Sequence, residues 1–169
     1  MASKDGLILD FEIYQGKTTN FPEDVEMGTL GAGGKAVLRL CETCPVGTNL
    51  YFDRYFTGVT LLERLMEKGI SGTGTIMNNR FPNVGFSNDY KLKKKGRGTL
   101  ESRVRKDKKI ILVRWMDNMA STKHTVAPLE NCKRYSRSQQ CYLEIPQPNV
   151  VRRYNEFKGG IDLLNKLIA

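Results

Sequence analysis

In "GLILDFEIYQGK" (6–17), Leu7, Leu9, Phe11 and Ile13 alternate with Ile8, Asp10, Glu12 and Tyr14. A period of two places the first set on one face of an extended chain, so a strand ended by Gly16 is expected here. Residues 18–29 are polar, contain Pro22 and an acidic "PEDVE", and read as a loop. "GAGGKAVLRLCE" (31–42) follows with helical spacing, and Cys44-Pro45 is expected to end that helix. "TNLYFDRYF" (48–56) reads as a second strand. "TGVTLLERLMEKGI" (57–70) reads as a helix with Leu61, Leu62, Leu65 and Met66 on one face and a stop at Gly69, and "GTGTIMNN" (72–79) as a third strand. Strand, helix, strand, helix, strand in this order predicts an α/β unit with parallel pairing and helices covering a sheet.

Beyond Asn79 the pattern changes. "KLKKKGRGTLESRVRKDKK" (91–109) holds ten basic and two acidic residues, and "KIILVRWMDNMASTKHTVAP" (109–128) resumes as strand, "MDN" turn and strand. The basic run is therefore expected in an insertion or a protruding hairpin. "CKRYSRSQQCYLEIPQPNV" (132–150) reads as loop-rich. "NVVRRYNEFKGGIDLLNKLIA" (149–169) reads as helix interrupted at Gly159-Gly160.

With 169 residues, 40% hydrophobic and 27% charged, the chain is expected to form one domain with a core rather than a disordered tract. A net charge of +9 favours polyanionic partners, nucleic acid or an acidic membrane surface. No window approaches a membrane span and the first residues lack the apolar core of a signal peptide, so a cytosolic or nuclear protein is expected. Cys41 and Cys44 form one close pair, but Cys132 and Cys141 do not repeat it and His124 is the chain's one histidine. Reduced thiols are expected, and no zinc.

The cluster "GAGGKA" (31–36) imitates a phosphate loop. Thr29 and Ala36 occupy the outer positions of that motif, and no strand directly precedes it, so nucleotide binding is not expected. Lys91, Lys93, Lys94, Lys95, Arg97, Arg103, Arg105, Lys106, Lys108 and Lys109 are the candidate DNA-binding residues, the alternative being a solvated loop. Asp53 stands at a predicted strand end, where α/β sheets place ligand-binding groups; its plainer reading is a helix cap or an ion pair with Arg54. Asp162, in "GGIDLL", has a plainer reading as a first-turn residue facing a helix dipole.

Taken together, "LILDFEIYQGK", "LYFDRYFTGVTLLERLMEKGISGTGTIMNNR", "VRWMDN" and "YNEFKGGIDLLNKLI" resemble successive blocks of the piggyBac transposase family and its domesticated descendants. The resemblance implies an α/β, RNase H-like core with an inserted basic, β-rich segment. It implies residues 1–78 as the first part of that core, 79–148 as the insertion with the basic run and a hairpin, and 149–169 as the start of the helix returning to it. Three aspartates of the family hold two Mg²⁺ or Mn²⁺ ions for DNA cleavage and strand transfer. Asp53 matches the second of them and Asp162 the third, while Asn165 stands where many members carry a further aspartate and can offer a carbonyl oxygen.

The strand bearing the first aspartate is expected to precede the block that opens this chain, and the closing helices and C-terminal cysteine-rich domain to follow Ala169. The core is then incomplete, with apolar surface uncovered and reliance on a partner expected. The resemblance thus implies a nuclear protein whose partners are DNA and a second copy or another transposase-derived chain, with no membrane association. Two functions remain open at this point: a transposase catalytic fragment inactive as it stands, or a domesticated DNA- or chromatin-binding protein.

Overall fold

The computed structural model describes residues 1–16, 19, 21 and 30–167, with the backbone alone at Asp89 and Lys93. The loop expected at 18–29 lies outside the described residues except for Thr19 and Phe21.

The centre of the fold is a βαβ unit. Strand β1 (Asn49–Phe52) leads through helix α2 (Val59–Glu67) into β2 (Ser71–Thr75), which pairs with β1 in parallel from Asn49↔Ser71 to Phe52↔Gly74. Leu61, Leu62 and Leu65 are fully buried, and Met66, predicted on the same face, is half-buried. Gly69 ends the helix at φ +69°. Its N–H donates to Met66 O and that of Ile70 to Leu65 O, the paired bonds by which a left-handed glycine closes a helix. Strand β2 carries glycines because its neighbours leave no room. A Cβ on Gly72 would stand 2.6 Å from Leu62 Cδ2, and one on Gly74 2.4 Å from both Phe52 O and Thr57 Oγ1.

Helix α1 (Ala32–Leu40) packs Leu38, with Cys41 just beyond its end, against Leu61, Leu65 and Ile70. A single 3₁₀ turn (Cys41–Thr43) intervenes before Cys44-Pro45. Burial pushes the Cys41 thiol up to about 12, which leaves it inert at neutral pH. All four cysteines are free thiols.

After α2 and β2 the chain forms the short helix α3 (Asp89–Lys94), then β3 (Glu101–Val104), β4 (Ile111–Arg114) and β5 (Asn118–Ser121). These strands extend the sheet antiparallel, giving the order β1-β2-β5-β4-β3, so residues 101–121, within the stretch expected as an insertion, extend the sheet that β1 and β2 begin. The stretch read as loop-rich is instead a hairpin of β6 (Glu130–Ser136) and β7 (Cys141–Gln147). Its strands were hidden because most outward positions are polar or charged. The inner ones, Cys132, Leu143 and Ile145, pack with Val113, Trp115 and Met119 and with Val150, Val151 and Tyr154 of helix α4 (Asn149–Phe157). Helix α5 (Gly160–Leu167) follows the predicted interruption.

The strand expected at 6–17 does not form. Described residues here make one antiparallel bridge, Ala2 with Ile8, around Gly6 at φ +82°, and Leu7, Leu9, Phe11 and Ile13 are all more than half exposed. Alternation supplies a strand's faces but not the neighbour its backbone must pair with. Arg39 instead holds the segment to α1 through ion pairs to Asp10 and Glu12, each 2.9 Å. Among the described residues, no helix is long and apolar enough to cross a membrane.

Candidate functional site

Asp53 follows the last residue of β1, at the C-terminal edge of the parallel pair. Its carboxylate does not pair with Arg54. Oδ1 accepts the Tyr55 N–H at 2.8 Å, while its carbonyl accepts from Phe56 N, Thr57 N and the Thr57 hydroxyl. Thr57 is fully buried, so the turn that presents Asp53 is anchored in the core. Two residues earlier, Tyr51 stacks on Phe157 with centroids 4.7 Å apart and is hydrogen-bonded to His124 Nε2 at 2.8 Å. These contacts tie β1 to the end of α4 just before Asp53 emerges.

Asp162 lies exposed in the first turn of α5. Asn165 is exposed three residues later, one turn along the same helix face. The start of α5 is pressed close to the N-terminal residues: a Cβ on Gly160 would meet Ser3 O at 2.3 Å.

Tyr154 of α4 is buried near the end of β2. Burial raises its hydroxyl above the ordinary tyrosine range, a hydrogen bond with Thr75 works against the rise, and the charges of Asp53, Asp117 and Asp162 add to it. Asp117 stands in the turn between β4 and β5, as the sequence predicts. It lines a cavity of about 340 Å³ with Arg54, Thr75, Met77, Arg114 and Asn118. Sequence spacing held no signal for this grouping, because the antiparallel addition of β5 and β4 brings the turn to the rim.

The basic run is not one loop. Lys91 and Lys94 lie on α3, with Lys94 Nζ 4.5 Å from the centre of the exposed Tyr90 ring, and Lys95 pairs with Glu101 at 3.7 Å. Arg97 donates to Tyr135 O and Arg103 to Gly85 O. Lys106, Lys108 and Lys109 stand exposed in the tight β3–β4 turn, where Lys108 has φ +60°. Arg105 is half-buried and pairs with Glu63 of α2 and with Asp107, whose carboxyl it holds down at about 2. Nothing is described of the Lys93 side chain.

A family model described as Transposase IS4 matches residues 1–169. The human PiggyBac transposable element-derived protein 3 is 34% identical over 165 residues, covering 93% of this chain and 27% of that protein. Human PiggyBac transposable element-derived protein 2 is 28% identical over 172 residues, 97% of this chain and 28% of that one. The chain belongs to the piggyBac-type Transposase IS4 family. It spans about a quarter of the length of these relatives. Its fold is shared with a piggyBac transposase in a synaptic complex with hairpin DNA, solved by cryo-EM, at TM-score 0.62 and 21% identity over 91% of this chain and 30% of that one.

Members of DDE transposase families use divalent metal, and hard cations take several oxygen ligands each. Among the described residues, no three His, Cys, Asp or Glu side chains stand close enough together to hold a metal ion. Asp53 also has one carboxylate oxygen engaged by its own turn.

His124 supplies a pH dependence beside the site. Burial, then the positive charges of Arg153, Lys123 and Arg152, holds it below the ordinary imidazole value. The unfolded chain therefore takes up a proton that the folded chain resists. The stabilisation is complete above the unfolded value of about 6.5 and is lost as pH falls through the folded value. Melting temperature is expected to fall as pH drops below about 6.5, and His124→Gln to flatten that fall. Parallel pH profiles for the two proteins would count against this assignment.

Proposed function

We propose that this chain is a DNA-contacting part of an RNase H-like transposase core that binds DNA without cutting it. The observation that carries the reading is the placement of Lys91, Lys94, Lys106, Lys108 and Lys109 on a helix and a tight turn, exposed, with Arg105 tying that turn to α2. Cations on short rigid elements can neutralise successive phosphates without reading bases, so affinity is set by salt and little by sequence. The piggyBac transposase that shares this fold was solved in a complex with hairpin DNA, in agreement with this partner. Residues 1–78 and 149–169 represent the core, and 79–148 a segment inserted in sequence whose strands β3–β5 extend the core sheet. Asp53 and Asp162 represent catalytic positions of the family, Asn165 a weakened third oxygen donor, and the protein acts in the nucleus, paired with a second copy or a related chain.

An enzymatic reading draws on the position of Asp53, directly after β1 at the C-terminal edge of the parallel β1–β2 pair. A DNA binding and nicking assay with Mg²⁺ or Mn²⁺ separates the two. Duplex is expected to bind with strong salt dependence, equally with and without chelator, and to remain uncut. Metal-dependent nicking abolished by Asp53→Ala would establish the enzyme and overturn the binding-only reading, and absence of any DNA binding would overturn both.

A further inference from the structure

We propose that the cavity enclosed by the β6–β7 hairpin, the 96–99 loop and the end of β4 receives an unpaired nucleotide of a DNA strand. This rests on the reading of DNA as the partner and concerns a separate pocket, which contains neither Asp53 nor Asp162. The cavity measures about 630 Å³ and is lined by Arg97, Arg114, Trp115, Arg134, Tyr135 and Ile145 among others, with no carboxylate among the lining residues. That volume suits a nucleotide and excludes a duplex.

Each wall matches one part of a nucleotide. The Arg134 guanidinium lies over the Trp115 ring, 5.8 Å from its centre, and bases stack on aromatic rings and guanidinium planes without regard to sequence. Arg97 is held by donating to Tyr135 O at 2.8 Å, and Arg114 by donating to Ser87 O at 2.7 Å. Both are thus positioned before a phosphate arrives, and arginine offers the forked donors that phosphate oxygens fit. Trp115 is 8% exposed and its indole N–H meets no acceptor, an unusual state for a buried donor. Gly98, at φ +83°, lets the 96–99 loop lie against β7, where an added Cβ would come within 3.0 Å of Pro146 Cδ. Bases inside a duplex are stacked on each other and cannot enter, so the nucleotide must be unpaired. The pocket shares Arg114 and Met116 with the cavity beside Asp117, which places the seated nucleotide next to the carboxylate rim.

Trp115 is the chain's one tryptophan, so its fluorescence reports on this pocket alone. In low salt, an oligothymidylate of about eight nucleotides is expected to quench roughly half of the emission saturably, whereas a duplex of equal length leaves it nearly unchanged. Arg97→Gln and Arg134→Gln, each confirmed folded by circular dichroism, are expected to weaken the oligothymidylate roughly tenfold, and Arg134→Gln to leave duplex binding within about twofold. Absence of quenching, with duplex binding by anisotropy intact, overturns the pocket and leaves the partner reading standing. Loss of both overturns both. Unchanged affinity in both variants overturns the arginine roles, and tighter quenching by oligouridylate than by oligothymidylate overturns the assignment to DNA.

Discussion

Gly74→Val is expected to cost the protein its cooperative fold or to lower its melting temperature by roughly 10 °C. The side chain would start 2.4 Å from Phe52 O, a backbone atom within the β1–β2 ladder that cannot rotate away, and 2.4 Å from the hydroxyl of fully buried Thr57. Overpacking of this kind typically costs about 1–3 kcal/mol and more where backbone must move, out of a total stability of about 5–15 kcal/mol. The damage would not stay in the sheet. Thr57 donates to Asp53 O at 2.8 Å, so displacing it loosens the turn that presents Asp53. Gly159→Ala is the matched control, because an added Cβ there meets nothing within 4 Å, and its expected effect is under about 1 kcal/mol. Thermal unfolding of both variants provides the check; a Gly74→Val protein melting with its parent would refute the steric account.

The combined change Lys106→Gln, Lys108→Gln and Lys109→Gln is expected to weaken duplex DNA binding roughly tenfold to a hundredfold at low salt and to make the log–log salt slope shallower by about 2.7. The three side chains are exposed in the β3–β4 turn, so their removal disturbs no packing. Arg105→Gln is the informative contrast. Its guanidinium is engaged by Glu63 and Asp107, so its loss should register in thermal stability and leave the salt slope nearly unchanged. A salt titration of binding decides the matter: an unaltered slope in the triple variant would move the DNA contact elsewhere on the molecule.

The βαβ unit was legible because its signals agree with one another. Leu61, Leu62 and Leu65 fall at helical spacing, Gly69 stands at the one position where a left-handed residue closes α2, and the Gly-Thr-Gly-Thr strand has no bulk to oppose that helix. The hairpin β6–β7 was not legible, since its inward residues are few and its other positions look like solvent-facing loop. At residues 6–17 the reverse occurred: a clear alternation lacks a neighbouring strand among the described residues, and local pattern cannot report on a missing partner. The candidate site divides in the same way. Strand-end position and motif single out Asp53 and Asp162 as candidates, whereas the cavity that Asp117 lines depends on how β4 and β5 add to β2, a tertiary fact with no local signature.

The pairing of Arg105 with Glu63 makes the turn that carries Lys106, Lys108 and Lys109 and the helix that follows the Asp53 turn parts of one strut. A duplex gripped at the turn would therefore meet the carboxylate edge at a constant offset along its axis, whatever its sequence. The fold would act there as a ruler, with the ion pair fixing where its scale begins.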